Sequence, residues 1–141
     1  MNQARSPFSQ ALLTQHFPEH EFMSTGIEAI TGAPYMAEVR KFAQTWGIEM
    51  PEGFSVSLAD AKQSLAKIDL AIAATKDMVP WIEKSGIAQK IISCEELLSD
   101  PMFKPNDPEG LGLEEAKTEV AKVGALSIRA MLESRDMHTV N

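Results

Sequence analysis

The sequence predicts an all-α fold, a single-domain irregular helical bundle of about five to seven helices, because apolar residues recur at helical spacing in three separate stretches. Tyr35, Val39, Phe42 and Trp46 share one stripe. Leu58, Ala61, Leu65, Ile68, Ile72 and Val79 follow at three- and four-residue steps, with Thr75 completing the repeat. Ala116, Val120, Val123, Ala130 and Met131 form a third stripe, flanked by a second one of Ala121, Ala125, Ile128 and Leu132. The two long helices are expected near 57–79 and 113–135. At 1.5 Å per residue the first would run roughly 33 Å, about the diameter of the domain, which would make it the central helix.

The individual elements follow from their boundary residues. Ser6 and Pro7 read as a cap and a first helical residue, and Pro18 ends that helix. Glu19 to Thr31 reads as two short turns, with Thr25 and Glu28 as a capping pair. Pro34 opens the next helix and Gly47 closes it. Ser57 and Asp60 cap the start of the long helix, and Pro80 should kink or end it. One or two short helices are expected from Ile87 to Ser99, with Ser93 and Glu96 as a further capping box. Residues 104–112, KPNDPEGLG, read as a surface loop before the last helix, and 136–141 as a frayed tail. No linker divides the chain, so 1–141 is taken as one domain.

Composition narrows the function classes. With 44% hydrophobic and 23% charged residues, the chain has a globular rather than a disordered balance. Cys94 is the single cysteine, which excludes an internal disulfide and a cysteine-based metal cluster. No apolar run is long enough to span a bilayer and no signal-like segment is seen, so a cytoplasmic location without membrane contact is expected. The net charge is −7, and the stretch from Ser93 to Glu119 holds eight acids against two lysines. That balance argues against direct nucleic-acid binding, which needs clustered Lys and Arg to displace counterions from phosphate.

Constellations for chemistry are sparse. His16 and His20 stand four apart, but Pro18 between them should break the helical geometry a metal site needs, so no metal and no cofactor is expected. Cys94 is followed by Glu95 and Glu96, whose charges would hold the thiol protonated. No serine lies in a nucleophile elbow, and the Gly110 to Gly112 segment lacks a phosphate-loop pattern. Glu114 and Glu115 fit a helix start, where carboxylates favour the positive end of the dipole.

The reading these observations support is a non-enzymatic interaction protein: an adaptor, assembly factor or inhibitor, of a kind viral particles also use. Its partner would be a protein with a basic surface, met by Glu95, Glu96, Asp100, Asp107, Glu109, Glu114, Glu115 and Glu119. Seven of the nine aromatics lie at or before Phe54, which either closes the core over the long helices or leaves residues 1–18 as a docking arm. In the second case Phe8, Leu12, Leu13 and Phe17 would insert into the partner. Two alternatives are a bundle that binds a small ligand or cofactor between its helices, and an acidic mimic of nucleic acid. The small residues of the last helix, Ala121, Gly124, Ala125 and Ser127, would also allow a homo-oligomer.

Overall fold

Two parallel β-strands lie at the centre of the chain, so the all-α expectation is incorrect and the fold is α/β. The structure, a computed structural model, describes residues 5–26, 31–32, 37–50, 53, 56–64, 68–98 and 113–139. In chain order its elements are α1 (Arg5–His16), α2 (Ala37–Thr45), α3 (Leu58–Ser64), β1 (Ile68–Ala73), α4 (Val79–Ser85), β2 (Ala88–Ser93) and α5 (Leu113–Thr139). Short 3-10 turns at Lys76–Met78 and Cys94–Leu97 follow the two strands.

The expected long helix over 57–79 is instead three elements. Ser57 does cap a helix, since its hydroxyl accepts from the Asp60 amide at 3.1 Å, but that helix is the short α3. The chain then becomes β1, whose Ile68, Leu70, Ala71, Ile72 and Ala73 stand opposite Ala88, Lys90, Ile91, Ile92 and Ser93 of β2. Pro80, expected to stop a helix, sits in the first turn of α4, where its missing N–H removes no helical bond. Gly86 ends α4 in the left-handed region at φ 66°, a conformation that glycine adopts without a steric penalty. The short helices expected from Ile87 to Ser99 are β2 and a 3-10 turn, and the Ser93 hydroxyl caps that turn by accepting from Glu95 N at 3.2 Å.

The unit β1–α4–β2 is a crossover, the only economical way to lay two consecutive strands parallel. Both sheet faces are covered. Leu70 and Ile72 pack with Leu13 and Phe17 from the α1 side and Ile128 and Met131 of α5. Ala71, Ala73 and Ile91 pack with Ala61 of α3 and Ile82 of α4. Alternate residues of β1 thus serve opposite helical layers, which is why the strand is apolar throughout apart from Asp69.

Helix α1 packs on α5, where the missing side chain of Gly124 leaves room for the Phe8 ring and the Leu12 methyl of α1. Phe8 is fully buried there and stacks on Phe42 of α2 with ring centroids 5.8 Å apart. The α2 stripe is as expected at Val39 and Phe42, both buried, whereas Trp46 is 55% exposed and tilts over Phe42 at 4.6 Å. Its partner Tyr35, Pro34 and the loop 104–112 lie outside the described residues. Helix α5 continues to Thr139, beyond the end expected near Arg135 and into the expected tail. Around Glu19 to Thr31 the described residues form turns at 18–19 and 31–32, with a bridge between Gly26 and Ser57. Among the described residues, no helix is long and apolar enough to cross a membrane.

Candidate functional site

Parallel strands end on the same side, and the carboxyl rim of such a sheet is where α/β folds bind ligands. Here the ladder ends at Ala73 and Ser93, and the chain continues into Ala74 and Thr75 after β1 and into Cys94 after β2. These rim residues are deeply set: Thr75 is buried, and Ser93 and Cys94 are fully so. The Thr75 hydroxyl donates to the Asp77 carboxylate, which fixes the turn leading into α4.

Arg5 stands at the same rim. It is the first residue of α1, is only 6% exposed, and its charge acts on the Cys94 thiol. A guanidinium in this position is unusual on two grounds. Burying a cation is costly unless anionic or hydrogen-bonding groups meet it, and a cation at a helix amino end opposes the positive pole of the dipole. The first turn of α1 also carries no acid to relieve it. An incoming anion would offset the dipole penalty. The first-turn amides of a helix have no acceptor within it, and Pro7 removes only one of them, so the Ser6 and Phe8 amides remain oriented toward that end.

Cys94 is not a reactive thiol in this setting. Burial pushes it up from 9.0 to about 11, against the opposing effects of a hydrogen bond with Ser127, the Arg5 charge and a backbone bond. Its Sγ lies 3.9 Å from the Ser127 hydroxyl inside the contact between the 3-10 turn after β2 and α5. The adjacent glutamates, expected to raise the thiol, are not the cause; removal from water is.

The residues selected from the sequence scatter over the fold. Phe8, Leu13 and Phe17 are buried in the chain's own core and Leu12 is half-buried against it, so these side chains face inward here. Glu95 and Glu96 lie in the 3-10 turn after β2, and Glu114 and Glu115 open α5 on an exposed face. Glu119 is buried and accepts from Lys122 at 3.0 Å. Asp100, Asp107 and Glu109 lie outside the described residues. His16 ends α1 with Nδ1 3.0 Å from the Leu12 carbonyl, and His20 sits 3.7 Å from Glu19. Among the described residues, no three His, Cys, Asp or Glu side chains cluster as a metal site would require.

Arg5 and Thr75 were not singled out by the sequence. The one available signal was Arg5 itself, a cation at the start of a helix where an acid is favoured.

Neither a known family model nor a curated protein matches the sequence. Solved structures do match in fold. The tyrosine phosphatase Wzb from Escherichia coli K30, in complex with sulphate, superposes with a TM-score of 0.74 at 18% identity over 94% of this chain and 91% of that one. Vibrio vulnificus Wzb in complex with benzylphosphonate gives 0.75 at 18% identity, over 94% and 92% of the two chains. The YwlE arginine phosphatase from Geobacillus stearothermophilus gives 0.70 at 21% identity, over 97% and 90%. The chain therefore has the α/β fold of these phosphatases. The expectation of a non-enzymatic adaptor, assembly factor or inhibitor is overturned with the helical bundle it rested on, since the solved structures that share this fold are enzymes.

Proposed function

We propose that this chain is a phosphatase that removes a phosphoryl group from a phosphorylated protein side chain, of the tyrosine or arginine kind. The observation that carries the reading is Arg5, a buried guanidinium at the amino end of α1 and at the carboxyl rim of a parallel sheet. The phosphatase fold of the solved structures supports it, as do the sulphate and the benzylphosphonate, two tetrahedral oxyanions, held by two of them.

The chemistry assigned to the chain's own residues is binding and charge stabilisation. The Arg5 fork can meet two phosphoryl oxygens at once, and the α1 amides of Ser6 and Phe8 donate to the same group. Water is the phosphoryl acceptor: its oxygen bonds to phosphorus as the bond to the leaving oxygen or nitrogen breaks, its proton passes to that leaving atom, and the charge spread over the equatorial oxygens is met by fixed donors that need not reorganise. Cys94 takes no part in attack, because a fully buried thiol at about 11 supplies almost no thiolate near neutral pH.

Hydrolysis of p-nitrophenyl phosphate, with inorganic phosphate as competitor, tests the reading. Arg5→Lys keeps the charge and loses the fork, and is expected to lower kcat/KM by about 100-fold, with Arg5→Ala lower by a further factor of about 10. Thermal melts of both variants separate lost chemistry from lost folding. Turnover by a folded Arg5→Ala equal to the wild type, or no competition by phosphate, would remove the basis of the proposal.

A further inference from the structure

The turn after β1 uses its capping residue in an unexpected way. Thr75 stands at the cap position of the 3-10 turn Lys76–Met78, where a threonine hydroxyl ordinarily accepts from an amide of the turn, yet it makes no such bond. Its hydroxyl, on a buried residue, donates instead to the Asp77 carboxylate. Asp77 is itself exposed and, among the described residues, enters no ion pair. A buried donor thus holds, by one oxygen, an acid that stands in water.

Packing places this acid over the rim. Ala74, just before the turn, and Met78, its last residue, both pack in the cluster that contains Val123 of α5 and Cys94, the thiol on which the Arg5 charge acts. Met78 also packs in the cluster beneath α4, so the turn bridges the two faces of the sheet instead of lying on the far one. The second 3-10 turn, Cys94–Leu97, lies against it and adds Glu95, half-buried, and Glu96. Lys76 is the only cation in the two turns.

Carboxylates repel a phosphoryl group unless a positive charge lies between them. Phosphoarginine brings that charge itself: its guanidinium joins phosphorus through nitrogen and keeps N–H donors that meet a carboxylate fork to fork. Phosphotyrosine has a neutral ring in the same place, which gains most from an apolar wall. Neither turn contains an aromatic residue, and Phe8, the ring nearest to Arg5 along α1, is fully buried.

We propose that this chain acts on phosphorylated arginine side chains, with Asp77, held by Thr75, receiving the guanidinium while Arg5 and the α1 amides hold the phosphoryl oxygens. The assignment deepens the phosphatase reading above and rests on it.

The test measures kcat/KM of the wild type, Asp77→Asn and Asp77→Glu on two peptides of one sequence, the first with phosphoarginine and the second with phosphotyrosine, by release of inorganic phosphate. The wild type is expected to prefer phosphoarginine by about tenfold or more, Asp77→Asn to bring that ratio close to one, and Asp77→Glu, which keeps the acid, to retain most of it. The ratio is taken within each variant, so a general loss of active protein cancels, and thermal melts show which variants are folded. A wild type that treats both peptides alike or prefers phosphotyrosine overturns the proposal and leaves the phosphatase reading standing. Turnover of p-nitrophenyl phosphate but of neither peptide overturns it as well, and so does a folded Asp77→Asn that keeps the wild-type ratio. If the wild type hydrolyses none of the three substrates, the phosphatase reading falls first and this assignment falls with it.

Discussion

Replacing Gly124 by Ala sets two physical effects against each other at the seat of the helix that carries Arg5. A Cβ built on Gly124 would lie 2.9 Å from Phe8 Cε1, 3.0 Å from Leu12 Cδ2 and 3.3 Å from Phe8 Cδ1. The Leu12 methyl can rotate away. The Phe8 ring cannot, because it is fully buried, stacked on Phe42 at 5.8 Å and edged by Trp46 at 6.1 Å. Ala in place of Gly stabilises a helix interior by about 1 kcal/mol, whereas forcing a methyl into a filled contact costs about 1–3 kcal/mol. With the rigid ring as the obstacle the second effect wins, and a net loss of up to about 2 kcal/mol is expected, or up to roughly 8 °C in Tm. Urea melts should show a lower midpoint at constant slope. Arg5 is three residues from Phe8 on the same short helix, so the displacement also reaches the guanidinium, and the inhibition constant of phosphate should rise several-fold. Adding Phe8→Leu should return part of the stability, the two sites being in direct contact. A Gly124→Ala variant about 1 kcal/mol more stable than the wild type, with phosphate affinity unchanged, would mean that helix propensity alone acts there and that α1 is not seated on α5 as described.

Two further perturbations bear on the same region. The native Cys94 thiol holds its proton up to about 11 while the unfolded chain releases it from 9.0, so the native state binds more protons across that window and stability falls as pH rises through it. The contribution is present in full below pH 9 and amounts to roughly 2–3 kcal/mol at its upper bound, read as the difference between wild-type and Cys94→Ala urea melts from pH 8 to 11. The same variant should keep its turnover at pH 7, and loss of turnover by folded Cys94→Ala would contradict the assignment of Cys94 to structure. The Ser9 hydroxyl is buried with no hydrogen-bond partner among the described residues, so Ser9→Ala should stabilise by about 1 kcal/mol, and a lower urea midpoint would show that the hydroxyl is satisfied in solution.

What was legible in the sequence and what was not divides along a physical line. Local chemistry at boundaries could be read: Pro18 does follow α1, Gly47 does take a positive φ after α2, and Gly86 does close a helix. Ser57 and Ser93 both cap, but the Ser93 cap belongs to a 3-10 turn that follows a strand. A cap reports the turn that comes after it and says nothing of the element before. The strands themselves were hidden because a parallel strand covered on both faces has no polar alternation to betray it, so its apolar residues fit a helical period as readily as a two-residue one. Residues 68–74 read IDLAIAA, and the three alanines, Ala71 and Ala73 packed with α3 and α4 and Ala74 with α5, lend the run a helical composition that packing overrides. Length is the arbiter: a largely apolar run of seven followed after thirteen residues by AQKIIS, with Pro80 and Gly86 between, fits two strands and a crossover better than one helix broken at a proline.

Arg5 fails to be legible for the opposite reason. Every other residue at the start of α1 helps build a helix, Ser6 and Pro7 above all, and a reading that seeks helix-building residues passes over the one that opposes it. A chain that places a cation against a helix dipole and then buries it accepts a cost of about 0.3–1 kcal/mol for the dipole alone, before any desolvation. The proposed oxyanion ligand would reverse that dipole cost, which is why the break in the local rule fits the proposal.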